Sequence, residues 1–440
     1  MERSLHTLFI VLVLATFYPE AYSQPQQPSM PMSQIAESYV KLVLAVGEHD
    51  ENYVDAYYGP EEWRTEAKNN RKSLADIRQE AEGLLANLEQ IGMISRFDEM
   101  GYLRHQYLTK QLASLKSRVE MLEGKRFSFD AESEALYDAV APVYNESQLK
   151  EALAELDKVL PKEEAGSTLQ QRYEAFRSAF IIPKDKLDPV FKAAIDECRS
   201  RTKKQIALPE NESFTVEYVT GKPWSAYNWY KGNSHSLIQV NTDLPISIDR
   251  AIDLAAHEGY PGHHVYNALL EENFLKKQGW VEFSVYPLFS PQSLIAEGSA
   301  NYGIDVAFSR EERIAFERDV LFPLAGLDRS QTEQYYRVFG LTEKLAYADN
   351  EAARKYSDGE ISREDAVKWM MEYRLMTRER AEQRVRFIET YRSYVINYNL
   401  GKDLVRNFIE SRGGAATNQQ KRWEEFGKLL SSPRLPSGLK

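Results

Sequence analysis

Apolar side chains recur at helical spacing through almost the whole of this chain, and the pattern changes only once. Ile35, Tyr39, Leu42, Val43 and Val46 begin it. Leu84, Leu85 and Leu88 continue it, then Leu103, Tyr107, Leu108, Leu112 and Leu115. Such spacing gives each segment one apolar face and predicts helices over 74–92, 98–122, about 147–160, about 168–181 and near 189–203. Between 212 and 241 the character shifts. Ser213 to Val219 and Ser236 to Asn241 read as strands, separated by Gly221, Pro223 and the aromatic cluster Trp224, Tyr227, Trp229 and Tyr230. From Ile246 the helical pattern returns. No repeat of fixed period is evident, which argues against a solenoid. The expected fold is mostly α, with a small β-sheet inserted just before a candidate metal-binding helix.

The chain has 440 residues, enough for a sizeable core. We divide it into a signal peptide over 1–23, a flexible leader over 24–34, a helical N-terminal region over 35–205, and a sheet-plus-helix region over 206–440. The last two are able to form one continuous domain. Arg3 and the short apolar run of residues 8–16 precede Ala21-Tyr22-Ser23, the arrangement of an export signal cleaved after Ser23. The alternative is an uncleaved anchor. With no cysteine nearby, a lipid-anchored form is not expected. No later stretch reads as a membrane span, so the expected location is periplasmic or extracellular. The net charge of −11 argues against a dedicated nucleic-acid binder. The single cysteine, Cys198, excludes an intrachain disulfide and a multi-cysteine metal site.

Histidine is scarce, seven in all, yet His257, His263 and His264 fall within eight residues. The run is Ala255-Ala256-His257-Glu258-Gly259-Tyr260-Pro261-Gly262-His263-His264. A zinc peptidase helix carries two histidines four residues apart, with a glutamate after the first that serves as general base. Here the fourth position is Pro261. In a regular helix His263 would face away from His257, and His264 would share its face but lie about 10 Å along the axis. Proline breaks the helical hydrogen-bond ladder and glycine accepts unusual backbone angles. Looping out Pro261 and Gly262 would bring His263 to the position of the second ligand, with His264 as runner-up. The alternative is that Pro261 opens a new helix and the histidines are surface or capping residues.

A catalytic zinc takes three protein ligands and keeps one open position. The third candidate is Glu297, on a helix expected to start at Ser290-Pro291. Its small neighbours Gly298, Ala300 and Gly303 would let two helices approach closely. Alone, Glu297 reads equally as an exposed helix charge.

Together, His257-Glu258-x-Tyr260-Pro261-Gly262-His263-His264 and Glu297-Gly298-x-Ala300-x-Tyr302 resemble the bacterial DUF885 proteins. These are grouped with gluzincin-type zinc metallopeptidases. The resemblance runs from the end of the signal segment to about residue 410 and includes Arg386-Phe387-Ile388 and Tyr398-Asn399-Leu400-Gly401-Lys402. It departs at Ser299, where the family usually has tryptophan. It implies a helical peptidase-like fold, zinc held by His257, His263 and Glu297, and a peptidase class with Glu258 as base, but it names no particular substrate; the expected partner is a peptide. It also offers Tyr398 as donor to the oxyanion, although Tyr398 reads equally as a packing tyrosine. Arg386 is a candidate for a substrate carboxylate, and otherwise a solvated charge in the arginine-rich run 374–392. The strand over 236–241 is expected to pair with extended substrate, as strand addition would have it, with Asn241 and His235 at its ends. Both also read as ordinary strand-end polar residues. Two rival readings stand beside the peptidase: an exported binding protein with a structural motif, and a zinc hydrolase of non-peptide amides. Oligomeric state is not legible.

Overall fold

The computed structural model describes residues 30–92, 98–162, 166–222 and 224–439. The expected signal segment lies outside these residues, as does Pro223. The fold is mostly α with a small sheet.

Helix α1 (Met32–Gly47) takes up the last residues of the expected leader, because Ile35 and Ala36 already bury against the core. Helices α2 (Leu74–Ile91) and α3 (Glu99–Leu122) pair beside it through Leu84, Leu88, Leu108 and Leu112. Ser73 and Asp98 each accept the third backbone N–H of the helix they cap, which sets both starts. Helix α4 (Leu187–Lys203) buries Phe191, Ala194 and Cys198 on its inner face. One apolar core joins these helices to the later ones, containing Tyr39, Leu112 and Phe191 together with Leu294 and Ile396.

Among the described residues, five strands form two sheets. A two-stranded piece pairs β1 (Val54–Tyr57) antiparallel with β5 (Val285–Pro287). A three-stranded sheet has the order β2 (Ser213–Val219), β4 (His235–Asn241), β3 (Ala226–Gly232). β4 is therefore central, parallel to β2 and antiparallel to β3. This corrects the expectation that residues 236–241 pair with substrate, since both hydrogen-bonding edges of β4 are occupied. The outer strands are β2 and β3, and the sequence reading left β3 as an aromatic connector.

After the sheet come α5 (Asp249–Leu254), a wide π-type turn over Ala255–Gly259, and α6 (His263–Leu270). Helix α7 (Pro291–Ala307) follows β5. Late in the chain, α8 (Arg378–Tyr391) and α9 (Ile396–Ser411) flank a short 3-10 turn over Arg392–Val395. Helices α7 and α9 cross at two glycines. A Cβ on Gly298 would sit 2.5 Å from the backbone of Gly401, and one on Gly401 would sit 2.8 Å from the carbonyl of Leu294. The small face of α7 thus admits α9 as well as the motif segment, a contact the sequence reading did not foresee. Among the described residues, no helix is long and apolar enough to cross a membrane.

Candidate metal centre

Motif and helix break are the same object. The helical run that starts at Asp249 widens over Ala255–Gly259 and stops, with Tyr260 extended. Gly262 then donates its N–H to the carbonyl of Ala256, 2.8 Å away, folding the chain back. Only glycine fits there, because a Cβ would lie 1.9 Å from the carbonyl oxygen of His257. The Pro261 ring packs against Gly303 of α7. Helix α6 restarts at His263. The expected bulge within one helix is thus a full break between two, because Pro261 ends the hydrogen-bond ladder and the Gly262 turn reverses the chain.

The consequence is that His263 faces His257. Their Nε2 atoms are 3.1 Å apart and the rings stand at 85°. Glu297 reaches in from α7, with Oε2 3.2 Å from His257 Nε2 and 3.7 Å from His263 Nε2. The three ligand atoms lie within 4.8 Å of one another. Ligand atoms about 2.0–2.1 Å from a tetrahedral zinc stand roughly 3.3 Å apart, so the spacing suits that ion. Oε2 of Glu297 is buried and accepts no well-formed hydrogen bond. Its orphaned lone pairs, aimed at two imidazole nitrogens, are what a bound cation would satisfy.

The electrostatics agree. Burial alone would favour a neutral His263, but Glu297, and behind it Glu258 and Asp55, outweigh it and lift the ring to about 9. Burial alone would raise Glu297. The adjacent His263 and His257 outweigh it and hold the carboxyl well below its usual range.

Glu258, the residue after the first histidine, is 5% exposed. Its carbonyl accepts from Asn228 of β3 at 2.6 Å, which anchors the wide turn to that strand. Its carboxylate has no hydrogen-bond partner among the described residues, so it remains available for proton transfer.

His264 is turned away. Fully buried, it places Nδ1 2.8 Å from Ser236 and Nε2 3.2 Å from Glu212. Glu212 also receives Arg199 at 2.6 Å and the Tyr260 hydroxyl. Both ring nitrogens are therefore engaged in tying α6 to the sheet. Phe214 of β2 packs edge-on against the same ring. His235, at the start of β4, meets Ser213 at 3.2 Å.

The remaining candidates fall on the surroundings. Tyr398 is half-buried on α9, and burial together with the nearby Glu297 charge keeps its hydroxyl protonated. Asn241 spends its side-chain amide on the carbonyls of Lys222 and Trp224, so it holds the loop before β3 rather than facing a ligand. Arg386 is exposed and lines a groove of about 370 Å³ with Lys222, Asp243, Glu379 and Gln383.

Two residues at the centre escaped the sequence reading. Tyr394 donates its hydroxyl to Oε1 of Glu297 at 2.7 Å. Its one available signal was its place four residues before Tyr398. Asp55 of β1 lies close enough for its charge to act on His263. Nothing in a short strand 200 residues upstream signals that.

No protein-family model matches the chain, and no curated protein matches it. Among solved structures, the fold is similar to a lipoprotein from Colwellia psychrerythraea, at 15% identity over 94% of this chain and 76% of that one, with a TM-score of 0.49. It is also similar to a lipoprotein of unknown function from Shewanella oneidensis, at 13% identity over 91% and 82%, with a TM-score of 0.43. A third likeness is to the M32 carboxypeptidase of Deinococcus radiodurans R1, at 13% identity over 89% and 87%, with a TM-score of 0.37. Likenesses this distant leave the geometry of the site itself as the ground for function.

Proposed function

We propose that the protein is an exported, zinc-dependent metallopeptidase that hydrolyses peptide bonds of oligopeptides. The observation that carries this reading is the meeting of His257, His263 and Glu297 within 4.8 Å, beside an unpartnered Glu258. Zinc bound by those three residues would supply Lewis-acid activation of water and of the scissile carbonyl. Glu258 takes the proton of the attacking water and returns it to the leaving amine. Tyr394 holds Glu297 by its outer oxygen and so fixes the direction of the inner one. Tyr398, a protonated hydroxyl near Glu297 and Glu258, serves as donor to the oxyanion. Arg386 offers a guanidinium to a carboxylate lying in the groove it lines.

The deciding experiment compares wild type with Glu258→Gln on a peptide library, with zinc measured in both. Wild type should cleave, and the variant should retain zinc while losing at least about 10²-fold in rate, the usual contribution of a general base. Equal cleavage by both, or zinc below about a tenth of an equivalent in the wild type, refutes the reading. Cleavage confined to non-peptide amides would replace it with the amide-hydrolase reading.

A further inference from the structure

Within electrostatic reach of Glu297 and His263 stands a carboxylate that the peptidase chemistry does not use. Asp55 belongs to β1. The pairing of β1 with β5 runs Val54 to Pro287 and Ala56 to Tyr286, with a register shift between Val54 and Ala56. Asp55 is therefore the extra residue of a β-bulge. Bulges bend a strand and re-aim one side chain, and they are over-represented beside active sites. Here the re-aimed side chain belongs to a half-buried aspartate.

Among the described residues, Asp55 forms no ion pair. Its hydrogen-bond partner is the hydroxyl of Tyr227, on β3. Tyr227 itself belongs to an aromatic cluster. Tyr227 packs between Trp224 and Trp229, at centroid distances of 5.6 and 4.5 Å. Tyr286, on β5, and Tyr391, at the end of α8, both lie within reach of the Asp55 charge. So do His263, Glu297 and Glu258. The carboxylate thus lies within electrostatic range of the candidate metal ligands, with tyrosine hydroxyls about it.

A carboxylate with tyrosine hydroxyls about it is suited to a positively charged alkylammonium group. The carboxylate supplies charge, and the hydroxyl oxygens can accept hydrogen bonds from the ammonium. With zinc in place, the ion, Glu297 and Glu258 carry charges of +2, −1 and −1, which sum to zero. Burial pushes the Asp55 carboxyl up to about 6, so near neutral pH it adds a further negative charge with no ion-pair partner among the described residues. A neutral or anionic group placed there would leave it unpaired, at the cost of desolvation.

We propose that Asp55, with Tyr227, Tyr286 and Tyr391, binds an alkylammonium group of the substrate beside the scissile bond. Two sources share this chemistry: the free amino terminus of a peptide and the side chain of a lysine. The amino terminus gives an aminopeptidase, and lysine gives a side-chain specificity. The inference rests on the proposed peptidase reading and names its substrate class.

The test measures binding to zinc-loaded Glu258→Gln protein, which leaves peptides intact. Three ligands are titrated calorimetrically: a lysine-free pentapeptide with a free amino terminus, its N-acetyl form, and the N-acetyl form carrying one lysine. The same titrations are made with Asp55→Asn added. Acetylation should weaken binding at least tenfold. Asp55→Asn should weaken the free-amine peptide by a similar factor and leave the acetylated, lysine-free peptide within twofold. Recovery of affinity by the acetylated lysine peptide identifies the side chain as the source, and no recovery identifies the amino terminus. The proposal is overturned if acetylation has no effect on any of the peptides and lysine gives no gain. It is also overturned if Asp55→Asn weakens all three alike, or if that variant loses zinc, which would make Asp55 a support for His263. Amine-dependent binding without cleavage of any peptide by wild type would refute the peptidase and leave the ammonium site standing.

Discussion

Gly262→Ala tests the physical origin of the site, because one methyl group is set against the backbone that joins the two histidines. The added Cβ would lie 1.9 Å from the carbonyl oxygen of His257 and 2.4 Å from that of Ala256. Both neighbours are main-chain atoms, so no side chain can rotate out of the way. The turn must open, which separates α5 from α6 and His257 from His263. Forced overpacking of this kind costs about 1–3 kcal/mol, and contact with backbone places it at the upper end. At about 2.1 cal/mol/K per residue, a chain of 440 residues has an unfolding entropy of roughly 0.9 kcal/mol/K, so 3 kcal/mol lowers Tm by about 3 °C. The effect on zinc should be larger in proportion, a loss of about 10–100-fold in affinity, as for mutations that disturb ligand orientation. Differential scanning calorimetry gives the first quantity and competition with a chromophoric chelator the second. Gly83→Ala is the control. It lies in α2 with nothing within 4 Å of the new Cβ, and should stabilise by about 0.5–1 kcal/mol through helix propensity. If Gly262→Ala melts with wild type and binds zinc equally well, the Gly262 turn does not set the ligand pair and the reasoning fails.

Three further outcomes follow from the same geometry. His263→Ala should abolish tight zinc binding, whereas His264→Ala should keep one equivalent of zinc while costing about 1–3 kcal/mol in chemical denaturation, because Ser236 and Glu212 lose a buried partner. Tyr394→Phe should preserve the fold and lower zinc affinity about 10–100-fold in chelator competition, through the released carboxylate oxygen. Burial raises the Glu212 carboxyl, but hydrogen bonds from His264, Tyr260 and Arg199 outweigh it and bring it from 4.5 to about 2. A carboxyl depressed in the folded state stabilises it above the unfolded value, and that contribution is lost as pH falls towards 2. Glu212→Gln should therefore flatten the dependence of stability on pH between about 4.5 and 2, followed by urea denaturation at each pH.

Much of the fold was legible because its signals are local. The helical period of Leu84, Leu88, Leu108 and Leu112 names core faces that the structure buries, and the alternation in 213–219 marks β2. β3 was missed because Trp224, Tyr227, Trp229 and Tyr230 read as a cluster rather than an alternation. Their faces separate only when β4 pairs with them. β1 and β5 have four and three residues and no period to detect. At the site, the odd spacing of His257 and His263 around Pro261-Gly262 was informative because only a chain break reconciles it. The choice between His263 and His264 follows from which ring finds Glu212, and Glu212 lies 52 residues away. Tyr394 and Asp55 were invisible for a related reason. Each acquires its partner through tertiary packing that spans a large part of the chain.

The glycine crossing of α7 and α9 bears on which metals the site tolerates. Glu297 precedes Gly298, whose main chain rests directly on that of Gly401. The main chain beside the candidate ligand is thereby seated by contact between two backbones and has almost no slack. A cation demanding longer bonds must be accommodated by the imidazoles or by rotation of the Glu297 side chain against its Tyr394 hydrogen bond, since the Glu297 main chain cannot retreat without prising two helices apart. Discrimination against calcium, whose ligands stand about 2.3–2.6 Å away, is then built into the spacing of two helices as much as into the identity of the ligands.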